Sequence, residues 1–237
     1  MRLLVSVRNT VEARAAVDGG AEIVDAKEPA AGSLGAVSPA VLARIRETVR
    51  EDLEVSAALG DAADASEVGL ALRGIQVPLA YVKLGFRGVA DRLRARTLIL
   101  EGTRLAARLP GRPGFIAVAY ADWHRTGSLA PAVLAGLVAE CSAAGLLVDT
   151  AMKDGPTLFD TCPAQELTRV GRILAGDGRL FALGGGLAGA DIPRAADVGA
   201  DVFGVRTAAC DGGRNGSVGV SRVRELAEAL RLVRLRA

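Results

Sequence analysis

The sequence predicts one (β/α)8 barrel spanning residues 1–237, and three observations carry that expectation. Short β-branched or aliphatic runs recur eight times. Each is followed by a loop and then by an Ala/Leu/Arg segment with helical spacing. The loops after strands are long, whereas the joints after helices are terse and stopped by glycine. Eight such units in roughly 250 residues match the length of a (β/α)8 barrel.

The strands are expected at residues 3–7, 22–26, 54–59, 80–84, 115–120, 146–149, 180–183 and 201–205. The helices are expected near residues 14, 44, 68, 98, 136, 169, 194 and 227, so the repeat uses the whole chain and leaves no linker. Glycines just past a helix, as in Gly19-Gly20-Ala21 and Gly199-Ala200, supply C-terminal caps. A doubly wound open sheet is the competing fold, but no G-x-G-x-x-G follows the first strand. The long loops at 28–38, 122–130, 150–164 and 208–221 all leave strand C-termini, the face on which barrel enzymes build their sites.

Composition narrows the function. With 50% hydrophobic residues, 29 glycines and 3% aromatics, the core must be made of small aliphatic side chains. The net charge is +2 with acids and bases interspersed, so nucleic acid is not expected as a partner. Cys141, Cys162 and Cys210 have neither metal spacing nor an even count, which points to a reducing compartment. The apolar run at 1–7 meets Arg8-Asn9 too early for a signal segment, and no run approaches the roughly 18 apolar residues of a membrane span. A cytoplasmic protein with no membrane partner, assembled as a homo-oligomer, is expected.

Three lysines, Lys27, Lys83 and Lys153, stand among 29 basic residues; the others are arginine. A guanidinium keeps its proton, whereas a desolvated or crowded ammonium can release one and act as a nucleophile or base. All three follow or occupy even-numbered strands at the same end of the barrel, where alternate strands fill shared layers. They are therefore expected to converge and to lower at least one amine pKa. Asp25, two residues before Lys27 on one strand face, and Asp149, four before Lys153, accompany them. Asp122 ends the fifth strand and has a capping role as its alternative. His124, the sole histidine, lies in the same loop with either a catalytic or a phosphate role, or neither.

Gly184-Gly185-Gly186 follows the seventh strand and Gly204-Val205-Arg206-Thr207 the eighth. Glycines at these positions let backbone N–H groups close on a phosphate, although a triplet can also be only a tight turn. Arg206 is expected to add a bidentate contact. Ser33, within Gly32–Gly35, is expected to cradle a second phosphate.

At Leu3-Leu4-Val5-Ser6, Gly20-Ala21-Glu22-Ile23-Val24-Asp25-Ala26-Lys27, Gly32-Ser33-Leu34-Gly35, Tyr81-Val82-Lys83-Leu84-Gly85, Leu147-Val148-Asp149-Thr150-Ala151-Met152-Lys153-Asp154-Gly155 and the glycine triplet, the chain resembles the (5-formylfuran-3-yl)methyl phosphate synthases, also called 4-(hydroxymethyl)-2-furancarboxaldehyde phosphate synthases, of methanofuran biosynthesis. The resemblance implies a lyase that condenses two glyceraldehyde 3-phosphates, with Lys27 forming a Schiff base and Lys83 moving protons. The chemistry suits an iminium, which serves as electron sink for isomerisation, carbon–carbon bond formation and elimination. Lys153 then tunes charge or holds phosphate, and Asp25 and Asp149 orient the amines and shuttle protons. No cofactor and no metal are expected. A Schiff-base aldolase acting on another phosphosugar and a non-catalytic phosphosugar-binding barrel are the alternatives.

Overall fold

A computed structural model describes residues 1–153 and 155–235; Asp154, quoted above beside Lys153, and residues 236–237 lie outside them. Among the described residues, eight parallel strands close into a barrel in sequence order. They are β1 (Arg2–Val7), β2 (Ile23–Ala26), β3 (Glu54–Asp61), β4 (Tyr81–Gly85), β5 (Gly114–Tyr120), β6 (Gly145–Asp149), β7 (Leu180–Leu183) and β8 (Val202–Val205). Closure is made by β8 pairing with β1, with Arg2 opposite Val202 and Val5 opposite Val205.

The helices are α1 (Thr10–Gly19), α2 (Pro39–Thr48), α3 (Ala65–Arg73), α4 (Arg92–Ala106), α5 (Trp123–Thr126), α6 (Pro131–Glu140), α7 (Leu158–Thr161), α8 (Ala164–Gly176), α9 (Ile192–Asp197) and α10 (Val220–Arg234). Their starts follow from local chemistry. Asn9, Asp64 and Asp91 accept the backbone N–H of Glu12, Glu67 and Arg94, satisfying donors that have no intrahelical partner. Proline sits in the first turn of α2 and α6, where its missing N–H costs nothing. In α8, Leu167, Val170, Gly171 and Leu174 recur at helical spacing and are buried.

Two apolar layers result. Strand residues facing outward pack with the helices in one large core that includes Leu3, Val24, Val55, Phe115 and Phe203. Those facing inward, such as Ile23, Ala58, Ile116, Leu147, Ala182 and Val202, fill the barrel interior as a second cluster. Period-two alternation assigns each residue to its layer.

All eight expected strands and the helices between them are present. The loops differ from the sequence reading, because they carry small elements of their own: 3-10 turns at Pro29–Ala31 and Thr207–Ala209, the helices α5 and α7, and a hairpin of β9 (Cys210–Asp211) with β10 (Ser217–Val218). Elements of two to four residues are too short to impose a periodicity on the sequence. No helix among the described residues is long and apolar enough to cross a membrane. The cysteines Cys141, Cys162 and Cys210 are free and buried.

Candidate active site

Along β2, β4 and β6 the inward positions read apolar first and charged last. Ile23 precedes Asp25 and Lys27, Tyr81 precedes Lys83, and Leu147 precedes Asp149. Each strand therefore contributes an apolar floor and, at its C-terminal end, one or two ionisable groups to the same mouth. Lys27, Lys83, Lys153, Asp25 and Asp149 all border one cavity there, with Gly184, Gly185, Gly186 and Gly204 forming its far wall.

Register fixes Asp25. Ser6 on β1 and Ser56 on β3 stand directly opposite it on the two neighbouring strands. Their hydroxyls donate to its carboxylate at 3.0 and 2.8 Å. Lys83 Nζ lies 2.5 Å from the same carboxylate, reaching it across β3. Asp25 is 1% exposed, so a negative charge there is tenable only because all three partners are present.

Asp149 is built differently. It accepts from the Thr150 backbone N–H at 2.8 Å and from Lys153 Nζ at 2.8 Å, while Lys27 Nζ stands 3.7 Å from its other oxygen. Lys153 also donates to the Thr150 hydroxyl at 3.0 Å. Burial by itself would raise the Asp149 pKa; the Lys153 and Lys27 charges outweigh it and hold the carboxyl below the usual range.

Lys27 thus has the loosest share. Its backbone N–H extends the β1–β2 ladder to the Val7 carbonyl at 2.9 Å, which anchors the residue just beyond β2. Its amine is buried, and burial, with Lys153 and Lys83 adding to it, outweighs Asp149 and Asp25 and lowers the pKa to about 8. At pH 7.5 roughly a quarter of such an amine is neutral, against about one in a thousand for an ordinary lysine.

The glycine wall has a steric basis. Gly185 and Gly186 adopt φ of 100° and 71°, in the left-handed region. A Cβ at Gly185 would lie 2.9 Å from the Thr150 nitrogen, so the turn and the β6 loop can approach only without one. Among the described residues the Gly185 and Gly186 N–H groups make no hydrogen bond, leaving two donors at the cavity edge.

The remaining expected site residues lie elsewhere. Asp122 accepts the backbone N–H groups of Ala151 and Met152 at 2.7 and 2.8 Å, so it holds the loop that carries Lys153 rather than facing the cavity. His124 is exposed on α5, its ring stacked on Trp123 at 3.4 Å between centroids. Ser33 is buried near the Tyr120 hydroxyl. That hydroxyl donates to Asp61 at 2.6 Å, and with burial first and the Asp61 charge second its pKa is raised. Arg206 borders the cavity, but the guanidinium edge expected to meet phosphate meets Glu12 instead. Residues that sequence reasoning passed over are Ser6 and Ser56, which hold Asp25, and Arg214, which borders the cavity from the β9–β10 hairpin. The serines alternate with apolar residues like any strand-end serine, and Arg214 is one arginine among many, so neither carried a signal. Among the described residues no group of three or more His, Cys, Asp or Glu side chains converges in a way that could hold a metal ion.

Comparison with known proteins gives the family. A protein from Methanopyrus kandleri named (5-formylfuran-3-yl)methyl phosphate synthase is 41% identical over 233 residues, covering 97% of this chain and 98% of its own. Those of the same name from Methanothermobacter thermautotrophicus and Methanocaldococcus jannaschii are 40% and 35% identical, covering 97% and 96% of this chain and 99% of each relative. Among solved structures, a 3-hexulose-6-phosphate synthase superposes with a TM-score of 0.66 at 17% identity, over 97% of this chain and all (100%) of that one. KGPDC from Streptococcus mutans does so with a TM-score of 0.64 at 12% identity, over 98% of both. At such identities these two speak for the fold alone. The sequence pattern described as 4-HFC-P synthase matches residues 3–227, and the chain belongs to that family.

Proposed function

We propose that this chain condenses two molecules of glyceraldehyde 3-phosphate into 4-(hydroxymethyl)-2-furancarboxaldehyde phosphate, through a Schiff base on Lys27, as a lyase of methanofuran biosynthesis. The observation that carries the reading is the lowered, loosely held amine of Lys27 in a mouth where the other two lysines are firmly paired. A neutral amine attacks the aldehyde carbon and water leaves, giving an iminium that acidifies the neighbouring C–H. The Asp25 carboxylate takes that proton, and the Lys83 ammonium paired with it supplies one to the departing oxygen. The resulting enamine spends its electron pair in expelling phosphate from the next carbon and leaves a conjugated enol iminium; the enol carbon then adds to the carbonyl carbon of the second triose, whose oxygen takes up a proton as the enol loses its own. Lys153 and the glycine N–H donors offer positive charge to the phosphates.

The balance is fixed by the atoms. Two C3 monophosphates give one C6 furan monophosphate, one inorganic phosphate and two waters. An aldolase would join or split trioses and release no phosphate. Glyceraldehyde 3-phosphate as sole substrate is therefore expected to yield one inorganic phosphate per furan product identified by mass spectrometry, at the same rate with and without EDTA. Turnover without phosphate release, or release abolished by EDTA, overturns the proposal.

A further inference from the structure

The segment after β8 brings two arginines to the mouth, and they are used in opposite ways. Arg206 is 6% exposed and spends its guanidinium on the protein. Nε donates to the Arg214 carbonyl at 3.1 Å, Nη1 to the Ser6 carbonyl at 3.0 Å and to Glu12, and Nη2 to Glu12 at 3.1 Å and to the Gly216 carbonyl at 2.7 Å. Glu12, in the first turn of α1, is itself buried and also accepts the Arg8 backbone N–H at 3.0 Å. Arg206 is thereby fixed at one end and grips the β9–β10 hairpin at the other, by the carbonyls of Arg214 and Gly216.

Arg214 itself carries one of those gripped carbonyls, and its side chain lies half-buried along the same cavity as Lys27, Lys153 and Gly185. Nη2 donates to the carbonyls of Gly32 at 2.9 Å and Pro29 at 3.4 Å, on the loop that directly follows Lys27. Nε and Nη1 make no hydrogen bond to protein among the described residues. A planar fork with an unused pair of donors, held between two loops at the cavity edge, matches the geometry of a phosphate monoester.

We propose that Arg214 is a phosphate-binding cation of this mouth and that Arg206, through its hold on the hairpin carbonyls, positions it. The proposal rests on the reading that the cavity takes a phosphorylated triose, and it concerns the phosphate end of that molecule instead of the carbonyl end. A phosphate on its free edge would sit beside the β8 hairpin and the β2 loop, which Arg214 already joins.

Calorimetric titration of inorganic phosphate into the intact protein tests this without any chemistry at Lys27. Arg214→Gln is expected to weaken phosphate at least tenfold, and Arg214→Lys, a point charge without the fork, by an intermediate factor. Arg231→Gln, on the exposed face of α10, removes the same charge and is expected to change affinity less than twofold. Arg206→Lys is expected to weaken phosphate while Arg214 is intact and to add nothing in the Arg214→Gln background, since interacting groups are non-additive. Wild-type protein that does not bind phosphate, or Arg214→Gln that binds like Arg231→Gln, overturns the role of Arg214; additive losses overturn the positioning role of Arg206. Borohydride trapping separates this from the amine chemistry. Arg214→Gln is expected to trap unphosphorylated glyceraldehyde as wild type does, but to need at least tenfold more glyceraldehyde 3-phosphate. Absence of trapping with both aldehydes in wild type defeats the Lys27 reading and leaves the phosphate titration to decide Arg214.

Discussion

Asp25 on β2 and Asp149 on β6 face each other across the barrel and differ in how many amines they serve. Asp25 has one lysine, Lys83, at 2.5 Å, and two serine hydroxyls complete its shell. Asp149 divides itself between Lys153 at 2.8 Å and Lys27 at 3.7 Å. One carboxylate for one amine, with two serine hydroxyls beside it, makes a closed pair. One carboxylate for two leaves the more buried amine short of compensation, and it is that amine whose pKa falls to about 8. Burial is the larger cause of the lowered Lys27 pKa, and the excess of lysines over aspartates adds to it.

Removing the uncompensated amine should have the largest effect. Lys27→Arg cannot form an imine, so turnover is expected to fall by more than roughly 10⁴-fold, as for loss of a covalent nucleophile. After borohydride reduction of wild-type protein with glyceraldehyde 3-phosphate, peptide mapping should place the adduct on Lys27. A label on Lys83 or Lys153 would break the contrast between closed and open pairs.

The closed pair should respond less. Lys83→Arg keeps the charge opposite Asp25 but cannot pass a proton, so a fall in turnover of about 10²-fold or more is expected, with phosphate affinity near that of wild type. An uncharged replacement is the poorer probe, because an unpaired buried carboxylate costs about 3–5 kcal/mol and confounds activity with folding. Retained turnover in Lys83→Arg, measured by phosphate release, would reduce Lys83 to a counter-charge.

The strands and their helices were legible because each is long enough for period-two or period-3.6 patterning, and the even-strand placement of the lysines followed from that alone. Which aspartate meets which lysine was not. Asp25 lies two residues from Lys27 on one strand face, yet its ion pair is with Lys83, because register and barrel curvature bring β4 across β3 toward β2 while Ser56 keeps the intervening strand small. The β8 loop shows the same limit. A glycine-rich stretch with two arginines reads as an anion site, but which of them turns inward is set by the 210–218 hairpin and by a buried Glu12 some two hundred positions away. His124 and Asp122 share a loop and a strand end with no mark in sequence of which face they would take; the structure puts one outside on Trp123 and the other under the Lys153 loop.

The finest effect lies in the pH profile. Lys27 must be neutral to attack, so kcat/KM should rise with pH through a limb near about 8, the value to which burial lowers it. Asp149 is the larger of the two influences raising that pKa and Asp25 the smaller. Asp149→Asn should therefore move the limb to lower pH, and Asp25→Asn should move it less, whatever either does to the height of the profile. The same displacement has a sign for stability. Between about 8 and the ordinary lysine value of 10.5 the unfolded chain binds a proton that the folded chain has released, so this group makes stability rise with pH across that interval. A Lys27→Met variant should flatten that rise in thermal unfolding scans while the rest of the curve keeps its shape. A limb that stays put in Asp149→Asn, or that moves further in Asp25→Asn, would mean that the β2 aspartate governs the reactive amine after all.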